Sequence, residues 1–212
     1  MLAPRVLHHL PILHAEADLG SLAHAVRDRA PISDDARAAK RQAIDRFWQA
    51  VADYLDALPT QHGGHALRIY QDALPVCQTP GVSESRLVAD LAAQGSRNHQ
   101  LIAALEQRGA VLVGTESAEL LVREYELARA ALAAERPDPR REARQKAILE
   151  LRDRFIADRI AATLPPGGAG VLLLGALHDP LPFLPRDFTV DHPLGRPGLA
   201  PARSGATHVR IH

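Results

Sequence analysis

The residues of this chain that could do chemistry lie in short polar stretches, each directly after an apolar stretch that predicts a β-strand. The four polar stretches contain, in chain order, His14, Glu16 and Asp18; Gln71 and Asp72; Thr115 and Glu116; and His178 and Asp179. Imidazole and carboxylate groups bind divalent metals and transfer protons. If the strands are parallel, all four stretches open at the same edge of the sheet, where open α/β sheets bind their ligands. The pattern therefore predicts one functional site at that edge.

Each polar stretch also has a structural explanation. Asp18 could cap a helix near Ser21, and Glu116 could precede the next helix because the positive end of a helix dipole favours an acidic residue. His14 or His178 could be a hydrogen-bonded structural histidine. Four such coincidences at one edge are harder to explain in this way, so we favour the functional interpretation.

A helix predicted over residues 139–164 carries two arginines on its apolar side. At 3.6 residues per turn, the apolar arc consists of Ile148, Leu151, Phe155, Ile156, Ile160 and Thr163. Arg152 and Arg159 fall inside this arc, and an arginine that faces a core is costly unless an anion meets it. We expect Arg152 to pair with a site carboxylate or with substrate. We expect Arg159 to extend past the helix edge into solvent.

A further candidate is the sequence Gly-Ser-Arg-Asn-His at residues 95–99, which opens a predicted helix. The free backbone amides of a helix N-terminus bind anions, and Arg97 and Asn98 could assist them. Helix capping alone accounts for Ser96. The predicted substrate-binding residues are Gln71, Asp72, Arg97 and Asn98.

Apolar stretches that alternate with helical patterns indicate the fold. The predicted strands are residues 6–13, 65–70, 110–113, 170–175 and 188–190, and the predicted helices are residues 21–29, 33–58, 83–94, 97–108, 117–134 and 139–164. The unbroken apolar run at 170–175 is typical of a strand that is buried on both faces of a parallel sheet. Alternation of this kind favours parallel pairing through helical crossovers. We predict an α/β fold with a mainly parallel sheet of four to five strands and helices on both faces.

The length of 212 residues suits a single domain. We assign residues 1–192 to this domain and expect residues 193–212, which are rich in Pro, Gly, Ala and Arg, to form a poorly ordered tail. Residues 207–211 could add an edge strand. The long helices of the first half could also support a homodimer.

Composition excludes several classes of protein. The 25 basic and 25 acidic residues cancel, so no overall charge points to nucleic acid or to an anionic membrane. The single cysteine, Cys77, excludes an internal disulfide and a cysteine-based zinc site, and it suits a reducing compartment. We find no signal-peptide pattern and no apolar run long enough to span a bilayer. These features predict a cytoplasmic protein.

The second half of the chain resembles a known superfamily. The residues that carry the resemblance are Arg152-Asp153, then Phe155-Ile156-Ala157 and Ile160, then Gly175-Ala176-Leu177-His178 at a strand end. This pattern is similar to that of the superfamily that includes the TraB and Tiki proteins, the erythromycin esterases and the ChaN-like haem-binding proteins. The resemblance implies that Arg152 is the family arginine, that His178 belongs to the Gly-x-x-His motif, and that His14 is the strand-end histidine of the first half. Glu16 and Glu116 then correspond to the family's acidic residues by their positions after strands.

The leading functional hypothesis is a hydrolase that acts on a small-molecule or peptide substrate. His14, Glu16, Glu116 and His178 would either bind a divalent metal (Zn, Mn, Fe or Co) that activates water or act directly as base and acid, while Arg152 stabilises negative charge. The alternatives are a non-catalytic protein that binds or senses an anion, a small molecule or haem, and an interaction protein whose polar loops are only caps and turns. No dinucleotide fingerprint, Walker motif or serine-hydrolase elbow occurs in the chain.

Overall fold

The computed structural model describes residues 3–12, 34–134, 136 and 138–195. The strands are β1 (Arg5–Ile12), β2 (Gln61–His62), β3 (His65–Ala66), β4 (Arg68–Gln71), β5 (Val111–Val113), β6 (Ala169–Gly175) and β7 (Phe188–Asp191). The α-helices are α1 (Asp34–Ala57), α2 (Glu84–Ala93), α3 (Arg97–Gln107), α4 (Ala118–Ala133) and α5 (Pro139–Thr163), and a short 3-10 helix covers Leu181–Phe183. The predicted helix at 21–29 and the predicted edge strand at 207–211 lie outside the described residues, as does the predicted tail beyond residue 195.

Five strands form one sheet in the order β5-β4-β6-β1-β7, and every neighbouring pair in it is parallel. All seven residues of the central strand β6 are buried, as its unbroken apolar run predicts. In the register of this sheet, Ile12 at the end of β1 stands beside Gly175 at the end of β6. The prediction of an α/β fold with a mainly parallel sheet of four to five strands is confirmed.

Side chains from alternate positions of the strands build two apolar cores, one on each face of the sheet. On one face, Leu10 and Leu173 pack with residues of α1, α2 and α3, among them Trp48 and Ile102. On the other face, the core contains Leu7, Tyr70, Leu172, Leu174, Ile156 and Ile160, of which the last two belong to α5. Helix α4 packs against α5 and has no fully buried residue. The sheet is therefore covered by helices on both faces.

Capping residues set where three of the helices begin. Ser83, Ser117 and Asp138 each accept a hydrogen bond from a first-turn backbone N–H of the helix that follows. Ser96, which we also predicted as a capping residue, makes no capping hydrogen bond with its side chain. Its hydroxyl instead pairs with Nδ1 of His99 at 2.7 Å.

Two details differ from the sequence predictions. The predicted strand at 65–70 is divided, because Gly63 and Gly64 have φ of 57° and 79° and close a small hairpin of β2 and β3 before β4 begins. The predicted apolar arc of α5 is also partly wrong, since Leu151 is 49% exposed. The buried stripe of α5 consists of Arg152, Asp153, Ile156, Ala157 and Ile160. On the same helix, Arg159 does not extend freely into solvent as expected, because it is half-buried and its Nε donates to the carbonyl of Gly114 at 3.1 Å.

His9 lies on β1, on the same face as Leu7, and only 3% of its surface is exposed. Burial, together with the nearby His192 ring at a centroid distance of 5.2 Å, lowers the pKa of His9 to about 4. The unfolded chain therefore binds a proton at His9 near pH 6.5 that the folded chain binds only near pH 4. Stability that is present above pH 6.5 is lost as the pH falls toward 4.

We compare the unfolding free energy of a His9→Leu variant with that of the wild type at each pH. We expect this difference to shift in favour of the variant by roughly 2–3 kcal/mol as the pH falls from 7.5 to 4, because the variant lacks this titration. Urea unfolding at several pH values measures the difference. An exposed histidine provides the control, because a His65→Ala variant should follow the wild type throughout. A constant difference between His9→Leu and wild type across this range would contradict the expectation.

Candidate functional site

Four predicted site residues meet at the carboxyl edge of the sheet. Asp72 directly follows β4, Glu116 comes three residues after β5, and His178 comes three residues after β6. Arg152 reaches them from the buried stripe of α5. All four are buried, with exposed fractions of 6% for Asp72, 0% for Glu116, 4% for Arg152 and 8% for His178.

The guanidinium of Arg152 binds three carboxylates. Its Nε donates to Oε2 of Glu116 at 2.6 Å and its Nη2 donates to Oε1 of Glu116 at 2.5 Å, which makes a bidentate pair. The same Nη2 also donates to Oδ1 of Asp72 at 3.0 Å. On the other side of the group, Nη1 donates to Oε2 of Glu124 from α4. The expectation that Arg152 pairs with a site carboxylate is met by the geometry.

Burial and charge pairing act in opposite directions on the ionisation of this cluster. Burial acts to lower the pKa of Arg152, but the hydrogen bonds to Glu116 and the charges of Glu116, Glu124 and Asp72 outweigh it and raise the pKa. Burial also raises the pKa of Glu116, and Arg152 is the main influence that opposes this rise. The two side chains therefore depend on each other for their charge.

Backbone amides fix the two innermost carboxylates in place. Oδ2 of Asp72 accepts a hydrogen bond from the N–H of Gly175 at 2.8 Å, and Oε1 of Glu116 accepts one from the N–H of Ala73 at 2.8 Å. Ala73 has a φ of 58°, a conformation that is uncommon for a residue with a side chain. This turn directs the Ala73 N–H to Glu116. The strained backbone at Ala73 therefore helps to fix the position of the Glu116 carboxylate.

His178 is oriented by a carboxylate that sequence reasoning missed. Its Nδ1 pairs with Oδ1 of Asp153 at 2.6 Å, and Oδ2 of Asp153 accepts from the N–H of Asp179 at 3.1 Å. Because an ionised carboxylate only accepts hydrogen bonds, Nδ1 is the nitrogen that carries the proton. The other ring nitrogen, Nε2, lies 3.8 Å from Oδ1 of Asp72. The signal that could have found Asp153 is its position next to Arg152, on the same buried side of α5.

Asp72, Glu116 and His178 form a group with the ligand atoms for a metal ion. One ligand atom from each residue lies within 4.8 Å of the others, and all three residues are buried. Glu116 and His178 belong to the predicted metal set, whereas Asp72 was predicted to bind substrate. The other two predicted ligands, His14 and Glu16, lie outside the described residues, as does Asp18.

The remaining predicted substrate-binding residues make other contacts in the structure. Gln71 is buried, and its Nε2 donates to the carbonyl of Asp72 at 3.1 Å. Arg97 contacts α1, where its Nη2 donates to Oε1 of Gln49 at 3.1 Å and its Nη1 lies 3.8 Å from Oδ1 of Asp45. Asn98 is buried in the first turn of α3. Arg97 therefore holds two helices together in this structure.

A groove of about 390 Å³ lies between α4 and α5. Its lining residues are Arg123, Glu126, Leu127, Arg144, Ala147 and Ile148. None of the predicted site residues belongs to this lining. The described residues that the sequence analysis selected for the site thus lie outside this groove.

The fold and the site together define an α/β protein with a buried cluster of arginine, carboxylates and histidine at the carboxyl edge of a parallel sheet. No protein-family model, no curated protein and no solved structure matches the chain. The resemblance to the superfamily of TraB, Tiki, erythromycin esterase and ChaN-like proteins stays a prediction. None of the described helices has the length and apolar character needed to cross a bilayer.

Proposed function

We propose that the protein is a hydrolase that binds a divalent metal at Asp72, Glu116 and His178. The observation that carries the proposal is the convergence of one ligand atom from each of these three buried residues within 4.8 Å of the others. Within this group, Nε2 of His178 lies 3.8 Å from Oδ1 of Asp72, and a metal ion between these two atoms would bind both. The hydrogen bond from Nδ1 to Asp153 is the arrangement that metal-binding histidines commonly show.

Charge balance supports a divalent cation. Asp72, Glu116 and Glu124 carry three negative charges around the single positive charge of Arg152. Asp72 and Glu116 are buried, and one guanidinium serves all three carboxylates. A divalent cation would add positive charge where the buried carboxylates outnumber their cation.

The donor set suits several metals. One imidazole and two carboxylates are compatible with Zn²⁺, Mn²⁺, Fe²⁺ and Co²⁺, and they offer no sulfur ligand that would select a softer ion. A metal bound here would supply an activated water for hydrolysis. Asp153 would hold the His178 ring in its ligating orientation. Arg152 would stabilise negative charge that develops on the substrate.

The second candidate function is a non-catalytic protein that binds an anion, a small molecule or haem. The closed hydrogen-bond network around Arg152 favours it, because both oxygens of Glu116 and both oxygens of Asp72 already have partners. A satisfied network of this kind rigidifies a pocket without any reaction. This candidate predicts a ligand that raises thermal stability and is not turned over.

Metal titration of the wild-type protein tests the leading proposal. We expect calorimetry with Zn²⁺, Mn²⁺ and Co²⁺ to show one site per chain for at least one ion. We also expect that ion to support hydrolysis of an ester, amide or phosphoester in a general panel, and EDTA to abolish the hydrolysis. Absence of both saturable metal binding and metal-dependent hydrolysis would sink the proposal and leave the binding protein as the better candidate.

A further inference from the structure

We propose that the Nη1 side of Arg152 is the docking point for a carboxylate group of the ligand, and that Glu124 occupies this point until the ligand replaces it. The inference rests on the proposed function in one respect, namely that the cluster receives a ligand. It adds the chemical class of that ligand, an organic carboxylate.

The two sides of the Arg152 guanidinium have different surroundings. The side formed by Nε and Nη2 faces Glu116 and Asp72, whose side chains are 0% and 5% exposed and are anchored by backbone amides. The side formed by Nη1 faces Glu124, whose side chain is 37% exposed. Among the partners of the guanidinium in the described part of the chain, Glu124 has the most exposed side chain, so replacing it gives a ligand from solvent its most direct route to Arg152.

Glu124 is held less firmly than the other two carboxylates. It belongs to α4, which has no fully buried residue and packs against α5 rather than against the sheet. The only hydrogen bond that its side chain makes within the described part of the chain is the one to Arg152. A carboxylate of the ligand that replaced Glu124 would recreate the same hydrogen bond and the same local charge, so the exchange costs little electrostatically.

The charge of the site favours a carboxylate over a phosphate. Arginine presents a planar set of donors, and its present partners are all planar carboxylates. A tetrahedral phosphate would also bring up to two charges beside Glu116 and Asp72, where a carboxylate brings one. The site is thus better matched to a singly charged anion.

Chemical rescue of a Glu124→Ala variant tests the inference. The variant leaves Nη1 of Arg152 without its partner and opens space for a small anion. We expect formate and acetate to raise its melting temperature by roughly 3 °C when present at ten times their Kd, measured against chloride at equal ionic strength. The matched control is Glu119→Ala, which removes an exposed carboxylate on the same helix that pairs with Arg123. This control should respond to formate no more than the wild type does.

The outcomes separate this inference from the proposed metal function. Rescue is measured in EDTA, so it does not depend on metal binding or on hydrolysis. Equal formate shifts for Glu124→Ala and Glu119→Ala would overturn the inference, as would a larger shift with inorganic phosphate than with formate. A Glu124→Gln variant fills the position with a neutral side chain, and we expect formate to stabilise it less than Glu124→Ala.

Discussion

An Arg152→Met variant is expected to lose roughly 3–5 kcal/mol of unfolding free energy, because it leaves two buried carboxylates without their cation. Glu116 is fully buried and Asp72 is nearly so, and both depend on Nη2 of Arg152. Methionine preserves much of the side-chain volume, so the loss reports charge rather than a cavity. Urea unfolding at pH 8 measures it.

A matched control for Arg152→Met is available on the protein surface. Arg86 and Asp90 form an ion pair one helical turn apart on α2, with side chains that are 73% and 54% exposed. We expect Arg86→Met to cost less than about 0.5 kcal/mol, since exposed pairs of this kind contribute little. If the two variants had similar stability, the buried cluster would not be held together by its charges.

The stability that Arg152→Met loses should depend on pH in a predictable direction. Without Arg152, burial raises the pKa of Glu116 with no cation to oppose it. A carboxyl whose folded pKa is raised stabilises the protein below its unfolded pKa and loses that contribution as the pH rises through the folded pKa. The penalty of Arg152→Met should therefore be smaller at pH 5 than at pH 8. An unchanged penalty would indicate that Glu116 stays ionised in the variant.

Much of the fold follows from the sequence because parallel sheets impose a simple pattern on it. The run at β6 has no polar residue, and only a strand that is covered on both faces tolerates such a run. The same rule predicted which candidate residues lie together, since the carboxyl ends of parallel strands lie at one edge. Asp72, Glu116 and His178 come from three separate loops, and their meeting was predictable from strand direction alone.

The partners of these residues were harder to predict, because they depend on the rotation of a helix. A wheel centred on the apolar residues of α5 placed Leu151 inside, whereas the buried stripe is shifted toward Asp153. A polar residue such as Asp153 contributes nothing to an apolar arc, so sequence periodicity misplaces a helix whose buried side carries charges. Glu124 belongs to a helix with no buried residue, and its pairing with Arg152 leaves no periodic signal.

The rotation of α5 also explains how one helix contacts both the carboxylates and the histidine of the cluster. Adjacent residues on a helix point about 100° apart. Arg152 is thereby directed to Glu116 and Asp72, while Asp153 is directed to His178. A one-residue shift of the helix would break both sets of contacts together. The adjacent pair Arg152-Asp153 therefore fixes the position of α5 along the sheet as well as the chemistry of the edge.

A His178→Ala variant should weaken metal binding by at least about 100-fold, because it removes the only imidazole of the donor set. Zinc or manganese titration by calorimetry measures the change, and an unfolding curve verifies that the variant folds. Asp153→Asn gives a graded comparison. It keeps the side-chain shape but weakens the hydrogen bond that orients His178, so we expect a loss of roughly 10- to 100-fold.

The control for these variants is His65→Ala, since His65 is exposed on β3. It should bind metal like the wild type if the buried group is the site that is titrated. If His65→Ala and His178→Ala lost affinity equally, the titrated ion would be bound by surface histidines and not at the strand ends. If His178→Ala bound the metal as tightly as the wild type does, His178 would not be a metal ligand. Asp153 would then serve only to anchor the loop after β6.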